Sequence, residues 1–138
     1  MFPETDKYQN NGHFFFKKGD DLQKVGNNVA GKPGVYYIFK LAHDKIKLVY
    51  LGKSGIMQQN GTFKNQTLRE QLSNDQNGGG LQEFLDKKFQ EESIAAFDIY
   101  WFVTFDNDHR DLPGYVEGLL MQHHFVVYGQ LPDYNIEF

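Results

Sequence analysis

The sequence has no cysteine, which excludes disulfides and cysteine-ligated zinc. That absence fits a reducing compartment. No apolar run approaches the roughly 20 residues that a membrane-spanning helix requires. The first residues, Met1 to Asp6, lack a basic segment followed by an apolar stretch, so no signal peptide is read there. A soluble, cytoplasmic protein is expected. A basic excess is also missing: the formal net charge is −4 and the isoelectric point about 5.7. This counts against tight nonspecific DNA binding and leaves a local basic face open. Arginine occurs only as Arg69 and Arg110.

What is present is apolar and aromatic. In 138 residues, 40% are hydrophobic and 16% aromatic, enough to build the core of one domain. Residues 1–33 are polar and rich in turn signals and read as an N-terminal extension, in which His13–Phe16 is either a short strand or an arm packed on the body. Residues 34–41 and 46–52 read as strands of a hairpin, joined by the short polar segment 42–45. Residues 57–65 read as a loop with an Asn60-Gly61 turn. A short helix follows, with capping-box spacing at Thr67 and Glu70 and Asn65 as an alternative cap. An amphipathic helix begins at Leu81, with Leu81, Phe84, Leu85, Lys88 and Phe89 on one face. Residues 96–105 form the strongest strand. Residues 112–128 read as a largely apolar helix with Pro113 in its first turn and its end near Gly129. The order predicts an α+β fold, a small antiparallel sheet of about three strands flanked by helices.

One residue is out of place in that last helix. Glu117 is the single carboxylate in an otherwise uncharged run, and a carboxylate there must be solvated, paired or bound to metal. On one helix alone, a wet face is the ordinary explanation. Further along the chain, Gly34-Val35-Tyr36 opens the first strand and Tyr50-Leu51-Gly52 closes the second. The chain here resembles the GIY-YIG nuclease family, with Val35 and Leu51 at the apolar middle positions. The resemblance spans about residues 34–135, so that 34–138 is read as a GIY-YIG-like domain. It implies a catalytic set of Tyr36, Tyr50, Arg69, Glu117 and Asn135, the last delivered by Pro132-Asp133-Tyr134-Asn135. The segment between Tyr50 and Arg69 is longer than the family's, through the residues IMQQNGTFKNQ.

The chemistry implied is metal-dependent hydrolysis of DNA. Glu117 is the expected ligand of Mg²⁺ or Mn²⁺, a hard cation that prefers oxygen and retains waters. Arg69 offers a fork for phosphate. Tyr36 would orient a water, or act as base were its pKa depressed, and Tyr50 would hydrogen-bond the phosphate or the water. Gly52 permits close approach of substrate to backbone, and Lys53 is a weaker candidate phosphate contact. A partner protein, a homodimer or a small basic face would supply the grip on DNA. The alternative is a binding module of the same fold, for nucleic acid or protein, with weak or absent catalysis. Tyr37 and Trp101 are assigned to the core. Gly52-Lys53-Ser54 is no P-loop, because Lys47 stands where its leading glycine would be.

Overall fold

The structure, a computed structural model, describes residues 2–64, 67–73 and 80–138. Its centre is an antiparallel sheet of four strands in the order β1-β6-β2-β3. These are β1 (Asn11–Phe16), β2 (Gly34–Ala42), β3 (Lys45–Ser54) and β6 (Ala96–Val103), while β4 (Ile56–Met57) and β5 (Phe63–Lys64) make a separate two-stranded ladder. The helices are α1 (Leu22–Val25), α2 (Leu68–Ser73), α3 (Leu81–Glu91) and α4 (Pro113–Tyr128). The α+β class therefore holds, with four strands in the main sheet instead of three. The extra strand comes from the N-terminal segment, whose Phe14 and Phe16 pair with Ile99 and Phe97 of β6.

Alternation along the strands divides the core in two. Tyr36, Ile38, Phe97, Ile99 and Trp101 face α1, α2 and α3, while Val35, Tyr37, Phe39 and Phe102 face α4 and the N-terminal residues Phe2 and Tyr8. Tyr37 and Trp101 are both buried, as expected for core residues. The β2–β3 hairpin turns at His43 and Asp44, with φ of 53° and 60°, the two left-handed residues of a two-residue loop.

The helix boundaries follow local chemistry. Asp21 caps α1, accepting from the Gln23 amide. Thr67 and Glu70 make the expected reciprocal capping box at α2. The alternative cap Asn65 and the glycine-rich 74–79 lie outside the described residues. α4 opens with Pro113 and stops at Gly129, whose φ of 72° suits glycine. The loop read over 57–65 instead contains the β4–β5 ladder, with Gly61 at φ 83° in its tip.

Candidate active site

Tyr36 and Tyr50 lie side by side on one face of the sheet, their ring centroids 6.0 Å apart. A β-bulge in β3 makes this possible. Ile38 pairs with Tyr50 and Phe39 with Leu48, so Val49 is the extra residue. Without it, alternation from Leu48 would send Tyr50 to the α4 face. With it, Val49 and Tyr50 both pack against the core that contains Tyr36.

The two tyrosines differ in environment. Tyr36 is 2% exposed, on a strand paired on both sides. Burial pushes its hydroxyl well above the ordinary value near 10, and the neighbouring Tyr50 and Glu117 add to this. A phenol in this setting stays protonated at neutral pH and acts as a hydrogen-bond donor or orienting group; the protein groups around it do not make it a base. Tyr50 is half-buried, and burial raises its hydroxyl less fully. Gln71 of α2 donates from Nε2 to the Tyr36 hydroxyl at 3.4 Å. Tyr36, Tyr50, Gln71, Phe84, Tyr134 and Asn135 line a cavity of about 360 Å³.

Gly52 is the cross-strand partner of Tyr36. A Cβ built at Gly52 would stand 2.5 Å from Tyr36 Cζ and 2.6 Å from its hydroxyl oxygen. The space above this glycine is therefore occupied by the end of the phenol ring.

Asn135 clamps the outer edge of β3. Its side-chain oxygen accepts from the Leu51 amide and its side-chain nitrogen donates to the Leu51 carbonyl, each at 2.9 Å. The Tyr134 amide donates to the carbonyl of the bulged Val49 at 2.8 Å. The Tyr134 hydroxyl donates to Glu92, which also receives Lys40 Nζ at 2.7 Å. The tail from Pro132 onward is thus tied to the strand that carries Tyr50 and Gly52.

Glu117 is half-buried on α4. Burial pushes its carboxyl above the ordinary value near 4.5, and the positive charge of Lys53 pulls it back. Its charge also raises both Tyr36 and Tyr50, so it lies within electrostatic reach of each. β3 is the edge strand, which lets a residue from the α4 side influence hydroxyls on the other face. Lys53 points to the α4 side, its stem running past Gly114. Among the described residues, none hydrogen-bonds or ion-pairs with Glu117, and no three acidic or histidine side chains cluster as a metal cage. A single carboxylate of this kind fits a hard cation that keeps most of its water shell.

Arg69 is placed differently. Its Nε donates to the Val29 carbonyl at 2.9 Å and its amide to Ala30. It stands about 200° around α2 from Gln71 at 100° per residue, and it is not part of the cavity lining. The structure thus gathers Tyr36, Tyr50, Gly52 and Asn135, brings Glu117 and Lys53 near them across the β3 edge, and sets Arg69 on the α1 side of its helix. Arg110, the other arginine, lies over the Phe105 ring at 5.4 Å.

Gln71 was not among the candidates in the sequence. Its signal there is slight: a polar residue between Leu68 and Leu72, both fully buried. No protein-family model, curated protein or solved structure matches the chain.

Proposed function

We propose that the protein is a metal-dependent endonuclease that hydrolyses DNA phosphodiester bonds through a site of the GIY-YIG type. The observation that carries this is the pairing of Tyr36 and Tyr50 on one face, with the Glu117 carboxylate in electrostatic reach of both hydroxyls. Glu117 would hold the divalent cation, with waters completing its shell. Bound there, Mg²⁺ or Mn²⁺ would supply positive charge at the scissile phosphate. Tyr50, the more accessible phenol, would donate to a phosphate oxygen. Tyr36 would stay neutral and orient Tyr50 or the attacking water. Lys53 would add charge from the α4 side. Arg69 would meet the phosphate after its guanidinium turns from the Val29 carbonyl.

The test is plasmid cleavage by the purified chain over a series of Mg²⁺ and Mn²⁺ concentrations and pH values. Glu117→Ala and Tyr50→Phe should each lower the metal-dependent rate by about 10²-fold, the scale of a lost catalytic group. Equal background cleavage by wild type and Glu117→Ala would end the proposal. The engagement of Arg69 with Val29 favours a second reading, a GIY-YIG-like binding module with little or no catalysis. Metal-dependent thermal stabilisation that disappears in Glu117→Ala is expected for the nuclease and not for the module.

A further inference from the structure

We propose that the cavity beside the tyrosine pair is a nucleobase site, which takes an unpaired base of the DNA strand whose phosphate meets Tyr50. This inference rests on the nuclease reading above and names the form of DNA that the site accepts: a strand with an unstacked base, in preference to an intact duplex.

The walls are aromatic. Tyr36, Tyr50, Phe84 and Tyr134 all line the cavity. Their rings form a chain of contacts, with centroids 6.0 Å apart for Tyr36 and Tyr50, 6.2 Å for Tyr50 and Phe84, and 5.6 Å for Phe84 and Tyr134. Tyr36 and Tyr134 are buried, whereas Tyr50 and Phe84 are partly exposed and supply open ring surface. Ile136, also in the lining and 92% exposed, stands at the lip. A core cluster of rings closes on itself, but this one leaves about 360 Å³ open, in the range of a small-ligand site.

Charge and polarity select the ligand. Among the described residues, Glu137 is the one charged side chain in the lining, so the interior suits a neutral, flat ring better than a phosphate or a metal ion. Gln71 adds a polar edge. One hydrogen of its Nε2 goes to the Tyr36 hydroxyl, and the amide retains a second hydrogen and its oxygen for the edge of a base. Positive charge sits beside the rings. Lys88 Nζ lies 5.4 Å from the Phe84 centroid and 4.7 Å from that of Tyr134. Glu91 meets this lysine at 3.4 Å, a surface contact weak enough for a phosphate to replace. Aromatic walls with a cation at their edge are the parts of a stacking site for single-stranded nucleic acid.

The covalent structure of DNA supplies the link. A phosphate held at the Tyr50 hydroxyl brings its own base within one sugar of the cavity. A base in a duplex must leave the stack to enter, at a cost that is least for single-stranded or mismatched DNA. Stacking also provides affinity that does not depend on base sequence, in a chain whose net charge of −4 offers no general attraction to DNA.

The experiment measures binding of the full chain to a fluorescein-labelled single strand of about ten nucleotides by anisotropy, without divalent metal, so that cleavage does not intervene. Removing one base at a time should weaken binding about tenfold at one or two positions and little elsewhere. Phe84→Leu keeps the apolar bulk and removes the aromatic face. It should cost a similar factor on the intact strand and nothing further on the strand abasic at the sensitive position. The matched duplex should bind more weakly than the single strand, and one mismatch should restore part of the loss. Absence of binding, a flat abasic scan, equal losses from Phe84→Leu on intact and abasic strands, or equal affinity for the duplex would each overturn the inference. Plasmid cleavage with Mg²⁺ or Mn²⁺ reads the nuclease proposal separately. Base-dependent binding without cleavage keeps the base site and removes the nuclease, and metal-dependent cleavage with a flat scan does the reverse.

Discussion

Replacing Gly52 by alanine separates packing from substrate access. Gly52 has an ordinary strand backbone, without the positive φ found at Gly55 or Gly61. At such a position alanine alone should stabilise the fold by about 0.5–1 kcal/mol, because glycine loses more freedom on folding. The added methyl, however, would lie 2.5 Å from Tyr36 Cζ and 2.6 Å from its hydroxyl oxygen. Tyr36 has little room to retreat, since it is 2% exposed and β2 is paired on both sides. Overpacking of this kind costs about 1–3 kcal/mol. The net expectation is destabilisation by about 0.5–2 kcal/mol, a fall of several degrees in Tm for a domain of this size. Urea denaturation followed by circular dichroism should show a lower midpoint with an unchanged slope. In a Tyr36→Phe background the same substitution should cost less, because the hydroxyl contact is gone while the ring contacts at Cζ (2.5 Å) and Cε1 (2.8 Å) remain, and the double-mutant cycle should report that coupling. If Gly52→Ala were as stable as wild type or more so, the ring would have room to move and the packing argument would fail. Loss of cleavage at unchanged stability would then assign Gly52 to the approach of substrate.

Asn135→Ala removes both bonds to Leu51, and should lower stability by about 1–3 kcal/mol and abolish hydrogen-exchange protection of the Leu51 amide. Glu117 is raised by burial, so its charged form opposes folding. Wild-type stability should fall as pH rises through the folded-state pKa, and Glu117→Gln should exceed wild type at pH 8 and match it more closely below pH 4. Glu92 has the opposite sign: burial raises it, but bonds from Lys40 and Tyr134 hold it below its usual value. Its contribution should be present at pH 7 and vanish as pH falls through the depressed pKa, so Glu92→Gln should weaken the fold at pH 7 and lose its effect in acid, measured by urea denaturation across pH.

Much of the architecture was legible because its determinants are local. The polar pair His43-Asp44 between two β-rich runs defined the hairpin, and Pro113 and Gly129 bracketed α4. Thr67 and Glu70 carried a cap in their spacing alone. The edge strand β1 was less legible, since the run His13–Phe16 is as apolar as a packing arm and its partner Phe97 lies about 80 residues away. The β4–β5 ladder is too short to show a period. The proximity of Tyr36 and Tyr50 depends on the bulge at Val49, a matter of pairing between strands that no single strand encodes. Gln71 escaped notice because its partner is the hydroxyl of a residue 35 positions away. The placement of Arg69 toward Val29 depends on how the N-terminal segment folds back over α2.

That bulge also makes the hairpin modular. It resets the in–out phase of β3 between Leu48 and Tyr50, so the two halves of the strand keep separate parity. The outer half, from Lys45 to Leu48, starts at an exposed turn and could be lengthened or replaced by two-residue steps, together with its partner Phe39–Ala42, without rotating Tyr50 or Gly52. A single-residue deletion at Val49 would be a different event, exchanging the faces of everything on one side of it. The hairpin tip is therefore the place where a sequence can vary, or a tag be inserted, at least risk to the tyrosine pair.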